Sequence, residues 1–94
     1  MRLEDLRNGD IVVTRNGRRF IHLKSEEGFN TSFNGKQNSI FYSDGGFELL
    51  SNYNSDMTSK NGRDGEWDIV KVYRGAIVGL DDLAIARRGI IWKR

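Results

Sequence analysis

Three arginines crowd one tight turn: in DIVVTRNGRRFIHLK, residues 10–24, Arg15, Arg18 and Arg19 surround Asn16-Gly17. Guanidinium groups gathered in this way can recognise phosphate or carboxylate, because their N–H donors match such oxygens two at a time. Lys24, or the distant Arg87, Arg88, Lys93 and Arg94, could extend the basic surface. The plainer reading is a soluble turn whose cations meet only water and a neighbouring carboxylate. A second binding chemistry is aromatic stacking beside basic groups, as small β-barrels use to hold single strands or nucleotides. A chain this small needs most of its rings as core. Tyr53 and Trp67, at the two ends of a long polar stretch, are the rings expected to be exposed.

Catalytic chemistry finds less support. His22 is the only histidine, and a general base needs an orienting partner and a nucleophile at a meaningful spacing. The next acids along the chain, Glu26 and Glu27, fall beyond its strand, so His22 reads as a partly buried strand residue. Asp64, Glu66 and Asp68 resemble the start of a calcium loop. In that register Ile69 stands where glycine is required and Gly75 where the closing glutamate belongs, so these acids read as solvated. No phosphate-loop, dinucleotide, zinc-protease or nucleophile-elbow pattern occurs. The chain is expected to be non-enzymatic, with no catalytic residue, no metal and no cofactor.

Composition narrows the class. Ninety-four residues with 37% hydrophobic content make one domain, spanning 1–94, with a small core of its own. Absence of cysteine excludes disulfides and thiolate metal sites. No apolar run reaches membrane-spanning length, and the opening MRLEDLRNGD lacks the apolar stretch of a signal peptide, so a cytoplasmic protein is expected. Fifteen basic against thirteen acidic residues leave +2. That excludes a polyanion mimic and leaves anionic partners open.

The elements that must position these groups are punctuated by glycine. Asn8-Gly9, Asn16-Gly17, Asn34-Gly35, Asp44-Gly45-Gly46, Asn61-Gly62 and Asp64-Gly65 separate short β-branched and aromatic runs in a chain without proline. Those dipeptides tolerate the positive φ of hairpin turns. The first segment, Arg2 to Arg7, reads as a helical turn or an arm with Leu3 and Leu6 buried. Strands are expected at Asp10–Arg15, Arg18–Lys24, Ser39–Tyr42, Phe47–Leu50, Asp68–Arg74 and Ile90–Lys93. A two-residue Asn16-Gly17 loop predicts Arg15 opposite Arg18, Thr14 opposite Arg19, Val13 opposite Phe20 and Val12 opposite Ile21. Ile11, Val13, Phe20 and His22 would then share one face. The arginines would straddle the tip as a small protruding contact, not an extended groove. The stretch 28–36 reads as an irregular strand or loop, and 51–66, without periodicity, as a functional or mobile loop. Asp81 or Asp82 predicts a helix cap, Leu80, Leu83 and Ala84 an apolar stripe, and Gly89 a helix stop. The fold class is therefore mainly β: a small antiparallel SH3-like or barrel-type domain, with about five or six strands and one short helix near 80–88.

With LEDLRNGDIVVTRNGRRF, NYNSDMT, DIVKVYR and the closing IIWKR in view, the chain resembles small accessory proteins of phages and prophages of Gram-positive bacteria. They share the opening hairpin, the NYNSD-like loop, the DIVKVY strand and the WKR tail. The stretch SEEGFNTSFNGKQN and the helix-like LDDLAIARR depart from that pattern. The resemblance implies a non-enzymatic binding protein, an accessory or counter-defence factor. Such a factor would inhibit a host protein in the manner of an anti-CRISPR, or capture a nucleotide signal. The alternatives are a nucleic-acid-binding module using the basic hairpin and loop aromatics, and a virion structural or assembly component. The expected partners are a host protein or an anionic nucleotide or nucleic acid, without a membrane, and self-association is left open.

Overall fold

The Asn16-Gly17 turn does close the first hairpin, one residue away from the expected register. A computed structural model of the chain, which describes residues 1–32, 35–62, 64–74 and 89–94, pairs Ile11 with Ile21, Val12 with Phe20 and Val13 with Arg19. The Thr14 N–H donates to the Arg18 carbonyl, and the Gly17 N–H donates back to the Thr14 carbonyl. The loop is therefore the three residues Arg15-Asn16-Gly17, with Gly17 alone at positive φ (+88°). A two-residue type I′ turn needs positive φ at both central positions, whereas this longer turn needs it only at the last. The backbone N–H groups of Arg15 and Asn16 donate to the carbonyls of Asp68 and Glu66, so a neighbouring loop holds the turn in this form.

Among the described residues, six strands form one antiparallel sheet ordered β4-β3-β2-β1-β5-β6. They are β1 (Ile11–Thr14), β2 (Arg19–Thr31), β3 (Gly35–Ser43), β4 (Gly46–Leu49), β5 (Ile69–Arg74) and β6 (Gly89–Lys93). The mainly β class and the strand number are as the sequence predicts. The sheet is open, with β4 and β6 at its edges, and the helical segments described are two 3-10 turns, Leu3–Asp5 and Leu50–Asn52. The helix expected near 80–88, with Arg87 and Arg88, lies outside the described residues. Gly89, expected to stop it, opens β6. No helix among the described residues is long and apolar enough to cross a membrane.

The one-residue slip regroups the faces, since strand side chains alternate. Val12, Phe20 and His22 now share a face, and Ile11 and Val13 share the other with Ile21. The first face carries the core: Val12, Phe20, Phe41 and Val72, with Leu6, Tyr53, Met57 and Ile69 packed on them. Ile69 and Val72 would stand on opposite faces in a regular strand. A register shift between Val13 and Thr14 leaves Val70 as an extra residue in β5 and brings both into the core. Leu3 and Leu6 meet their expectation in part: Leu6 is buried and Leu3 is partly buried against the cluster.

The stretch read as irregular continues β2 to Thr31 and starts β3 at Gly35. Pairing breaks between Lys24↔Ser39 and Phe29↔Gln37, so residues 25–28 face Asn38 alone in a wide bulge. Gly28 enables it: its φ is +78°, and a Cβ there would lie 2.8 Å from the Gln37 carbonyl oxygen. Left-handed backbone costs an ordinary residue roughly 1–2 kcal/mol before any clash. Gly28→Ala is expected to lower stability by more than about 1 kcal/mol in denaturant unfolding. Gly45→Ala meets only the Arg18 guanidinium at 3.8 Å and should stay within about 0.5 kcal/mol. Equal midpoints for the two variants would refute this account of the bulge.

The long polar stretch read as a functional or mobile loop is, over its described residues 51–62 and 64–66, a packed turn structure. Tyr53 bridges to Ser59, and Met57, at φ +70°, is fully buried. Polar side chains serve the turn itself: Asn54 bonds Thr58 through both backbone and side chain, and the Asp56 carboxylate accepts from the Thr58 N–H and hydroxyl. The Asp68 carboxylate accepts the Ser59 N–H. One buried methionine among locally bonded polar residues leaves no periodic pattern to read.

Candidate functional site

Strand pairing assembles a basic surface from residues far apart in sequence. Val13 pairs with Arg19 on one side and Lys71 on the other, and Lys71 pairs with Lys93. Arg19, Val13, Lys71 and Lys93 therefore form one row across β2, β1, β5 and β6, spanning roughly 14 Å at the usual strand spacing. Beside the row is a groove of about 360 Å³ lined by Val13, Thr14, Arg15, Gly17, Val70, Lys71, Lys93 and Arg94. Four of these side chains are cationic and none is acidic.

Within the groove, like charges face one another across paired strands. Lys71 and Lys93 are directly opposed, and like charges in that position destabilise a sheet. Among the described residues the ion pair present is Asp10–Arg74, away from the groove. Arg15 and Arg94 are held in place by backbone carbonyls, which orient a guanidinium without neutralising it. Arg15 Nε donates to the Gly65 carbonyl (3.2 Å), Arg94 Nε to Ile69 (3.1 Å) and Arg94 Nη2 to Asp56 (2.8 Å). The Asp56 carboxyl sits below its ordinary range, chiefly through the Thr58 hydrogen bonds and to a lesser degree through Arg94. Two pinned guanidinium groups and two opposed ammonium groups are donors of the chemical kind that can meet an anion.

The hairpin arginines divide by face, though not as expected. Arg19 lies opposite Val13, in the basic row, and Arg15 lines the groove. Arg18, across from Thr14, turns to the other side, where its guanidinium carbon lies 5.6 Å from the Trp67 ring centroid. The arginines do straddle the tip, but the expected small protruding contact is corrected: two of them belong to a groove that runs across β1, β5 and β6. Lys24 is exposed on β2, roughly 20 Å of strand beyond Arg18, and its backbone N–H donates to the Asn8 side chain. It does not join the cluster.

The expectation that Tyr53 is exposed is corrected. It is buried at 5% exposure, meets Phe41 edge-on at 5.4 Å, and its hydroxyl donates to the Trp67 carbonyl at 3.1 Å. The flanking polar residues hide a 3-10 turn that carries its ring inward. Burial first, then the carboxylates of Glu48 and Asp68, push its phenol up to about 12. The folded state thus favours the neutral phenol. Its contribution is complete below the ordinary value near 10 and is lost as pH rises through about 12. Wild type is therefore expected to lose stability more steeply than Tyr53→Phe across that window. Identical alkaline limbs in the two proteins would contradict this.

His22 is more buried than the sequence suggests, at 2% exposure. Its Nδ1 lies 2.8 Å from the Arg7 carbonyl, an acceptor only, which places the proton on Nδ1. Burial is the main cause that lowers its pKa, against the opposing pull of the Arg7 carbonyl and Asp10. Asp10, fully buried, accepts from the Arg7 N–H and from Nε and Nη2 of Arg74, and this ion pair raises the Arg74 pKa. The cluster ties the N-terminal turn to β5. Among the described residues no three metal-ligating side chains converge.

Lys71 is the groove residue that sequence reading missed. It sits in DIVKVYR, the clearest strand of the chain, where its only signal is a lysine between apolar neighbours. Its significance depends on Lys93, which the pairing of β5 with β6 alone reveals. No family model matches the chain, and no match was found among curated proteins or solved structures.

Proposed function

We propose that this protein is a non-enzymatic binding protein that holds the phosphate backbone of a nucleic acid in the groove between β1, β5 and β6. In the setting that the sequence resemblance implies, it would serve a phage or prophage as an accessory or counter-defence factor. One observation carries the reading: among the described residues four cationic side chains line the groove without an acidic one, and two of them, Lys71 and Lys93, are directly opposed across paired strands. A bound polyanion converts that repulsion into attraction. Among the described residues the groove lining holds no aromatic ring, which favours binding through phosphates over capture of a single nucleotide by its base.

Fluorescence anisotropy with a labelled oligonucleotide over a range of salt concentrations tests the proposal. Affinity should fall linearly on a log–log plot with a slope of about −2 to −3, as expected when roughly four phosphates of a single strand are neutralised. Absence of binding at low salt would dismiss it.

A further inference from the structure

Strand pairing sets Arg19 beside the groove, on the same face and one strand further along. Residues directly opposite one another in a ladder project to the same side of a sheet. Arg19, Val13, Lys71 and Lys93, joined by three successive pairings, therefore share one face. Val12, Phe20 and Val72 alternate with them and point the other way, into the core. Val13, Lys71 and Lys93 line the groove, whereas Arg19 lies outside its lining, about 5 Å beyond Val13 at the usual strand spacing.

Arg19 is exposed, and among the described residues no hydrogen bond or ion pair engages its side chain. An isolated arginine of this kind serves solubility. This one continues a line. Lys93 and Lys71 stand one strand apart, and Arg19 follows two strands beyond Lys71, with half-buried Val13 as a low apolar step between them. The cations thus run across the strands over roughly 14 Å. A strand of stacked nucleotides advances about 3.4 Å per phosphate, so the line matches about four nucleotides. A single nucleotide meets only one end of it.

Resting on the groove reading above, we propose that Arg19 is a phosphate contact outside the groove, so that the bound strand crosses β6, β5, β1 and β2 in turn and the ligand is a chain of several nucleotides. Phosphates meet Lys93 and Lys71 in the groove, the chain passes over Val13, and a further phosphate meets the Arg19 guanidinium, whose forked N–H donors suit it. The contact positions the chain and carries no sequence information, because it reads the backbone alone.

The test compares the intact protein with Arg19→Ala and Arg18→Ala, using a fluorescent thymidine strand of about ten nucleotides over a range of salt concentrations. The two variants lose the same charge at adjacent positions, but only Arg19 is in the row. Arg18 lies on the core side of the sheet, its guanidinium over Trp67 and its Nη2 3.8 Å from where a Cβ on Gly45 of the β3–β4 turn would stand. Arg19→Ala is expected to weaken binding roughly two- to fivefold at low salt, the range of an exposed ion pair. Its salt slope should become shallower by about 0.7, one phosphate of a single strand. Arg18→Ala should keep the slope of the intact protein, with affinity within about 1.5-fold, because salt screens a charge that far from the row. Equal slopes for the intact protein and Arg19→Ala, or the same loss in both variants, would overturn the track over β2 and leave the phosphate groove standing. Failure of the intact protein to bind would overturn both.

Discussion

Phe41→Ala is expected to lower the free energy of unfolding by roughly 3–5 kcal/mol. Phe41 is fully buried on β3, one strand in from the sheet edge, and three rings surround it: Phe20 at 6.4 Å, His22 at 5.9 Å and Tyr53 at 5.4 Å. Removing it takes away the transfer free energy of a whole ring and leaves a cavity where strand, polar stretch and hairpin meet. Tyr53 and His22 are hydrogen-bonded to the Trp67 and Arg7 carbonyls, so neither can move far into the gap. Domains of this size have a total stability of about 5–15 kcal/mol. The melting temperature should therefore drop by roughly 15 to 30 °C in a thermal scan. Phe47→Ala is the control: Phe47 is 48% exposed on edge strand β4 and its loss should cost no more than about 0.5 kcal/mol. A change below about 1 kcal/mol for Phe41→Ala would show that the core is centred elsewhere.

Reversing both lysines of the groove, Lys71→Glu with Lys93→Glu, is expected to weaken oligonucleotide binding by at least about a hundredfold at low salt. The salt slope should also become shallower by about 0.7 for each phosphate that is no longer neutralised. The single change Lys71→Glu separates a binding role from mere solvation. It replaces a repulsive cross-strand pair with an attractive one, so the folded protein should gain roughly 0.2–1 kcal/mol. Binding should weaken in the same variant. Greater stability with weaker binding is the signature of charges placed for a ligand. Greater stability with unchanged binding would assign these lysines to solubility alone.

Much of the frame was legible in the residues. The glycine punctuation and the β-branched runs announced an antiparallel β protein, and the strands at DIVKVYR and IIWK fall where their patterns put them. Apolar alternation and turn residues act over a few positions, and such local forces can be read along a chain. The first hairpin shows the limit of that reading. RNGRR supports a two-residue or a three-residue loop, and the choice was made by carbonyls of Glu66 and Asp68, some fifty residues away. That choice moved Arg19 into the basic row and Arg18 onto Trp67. Tyr53 shows the same limit, since a single buried methionine and a set of local hydrogen bonds turn a polar stretch into core.

The sequence by itself determined the class of fold, the turn positions and the presence of cations able to hold an anion. These follow from backbone preferences and side-chain chemistry, which each residue carries with it. Only the tertiary structure decided which cations act together. Lys71 and Lys93 are opposed because β6 pairs with β5, and Arg15 joins them because β1 lies on the other side of β5. Electrostatic interaction depends on distance through space, and the sheet order that sets those distances is fixed by long-range packing that no local pattern encodes.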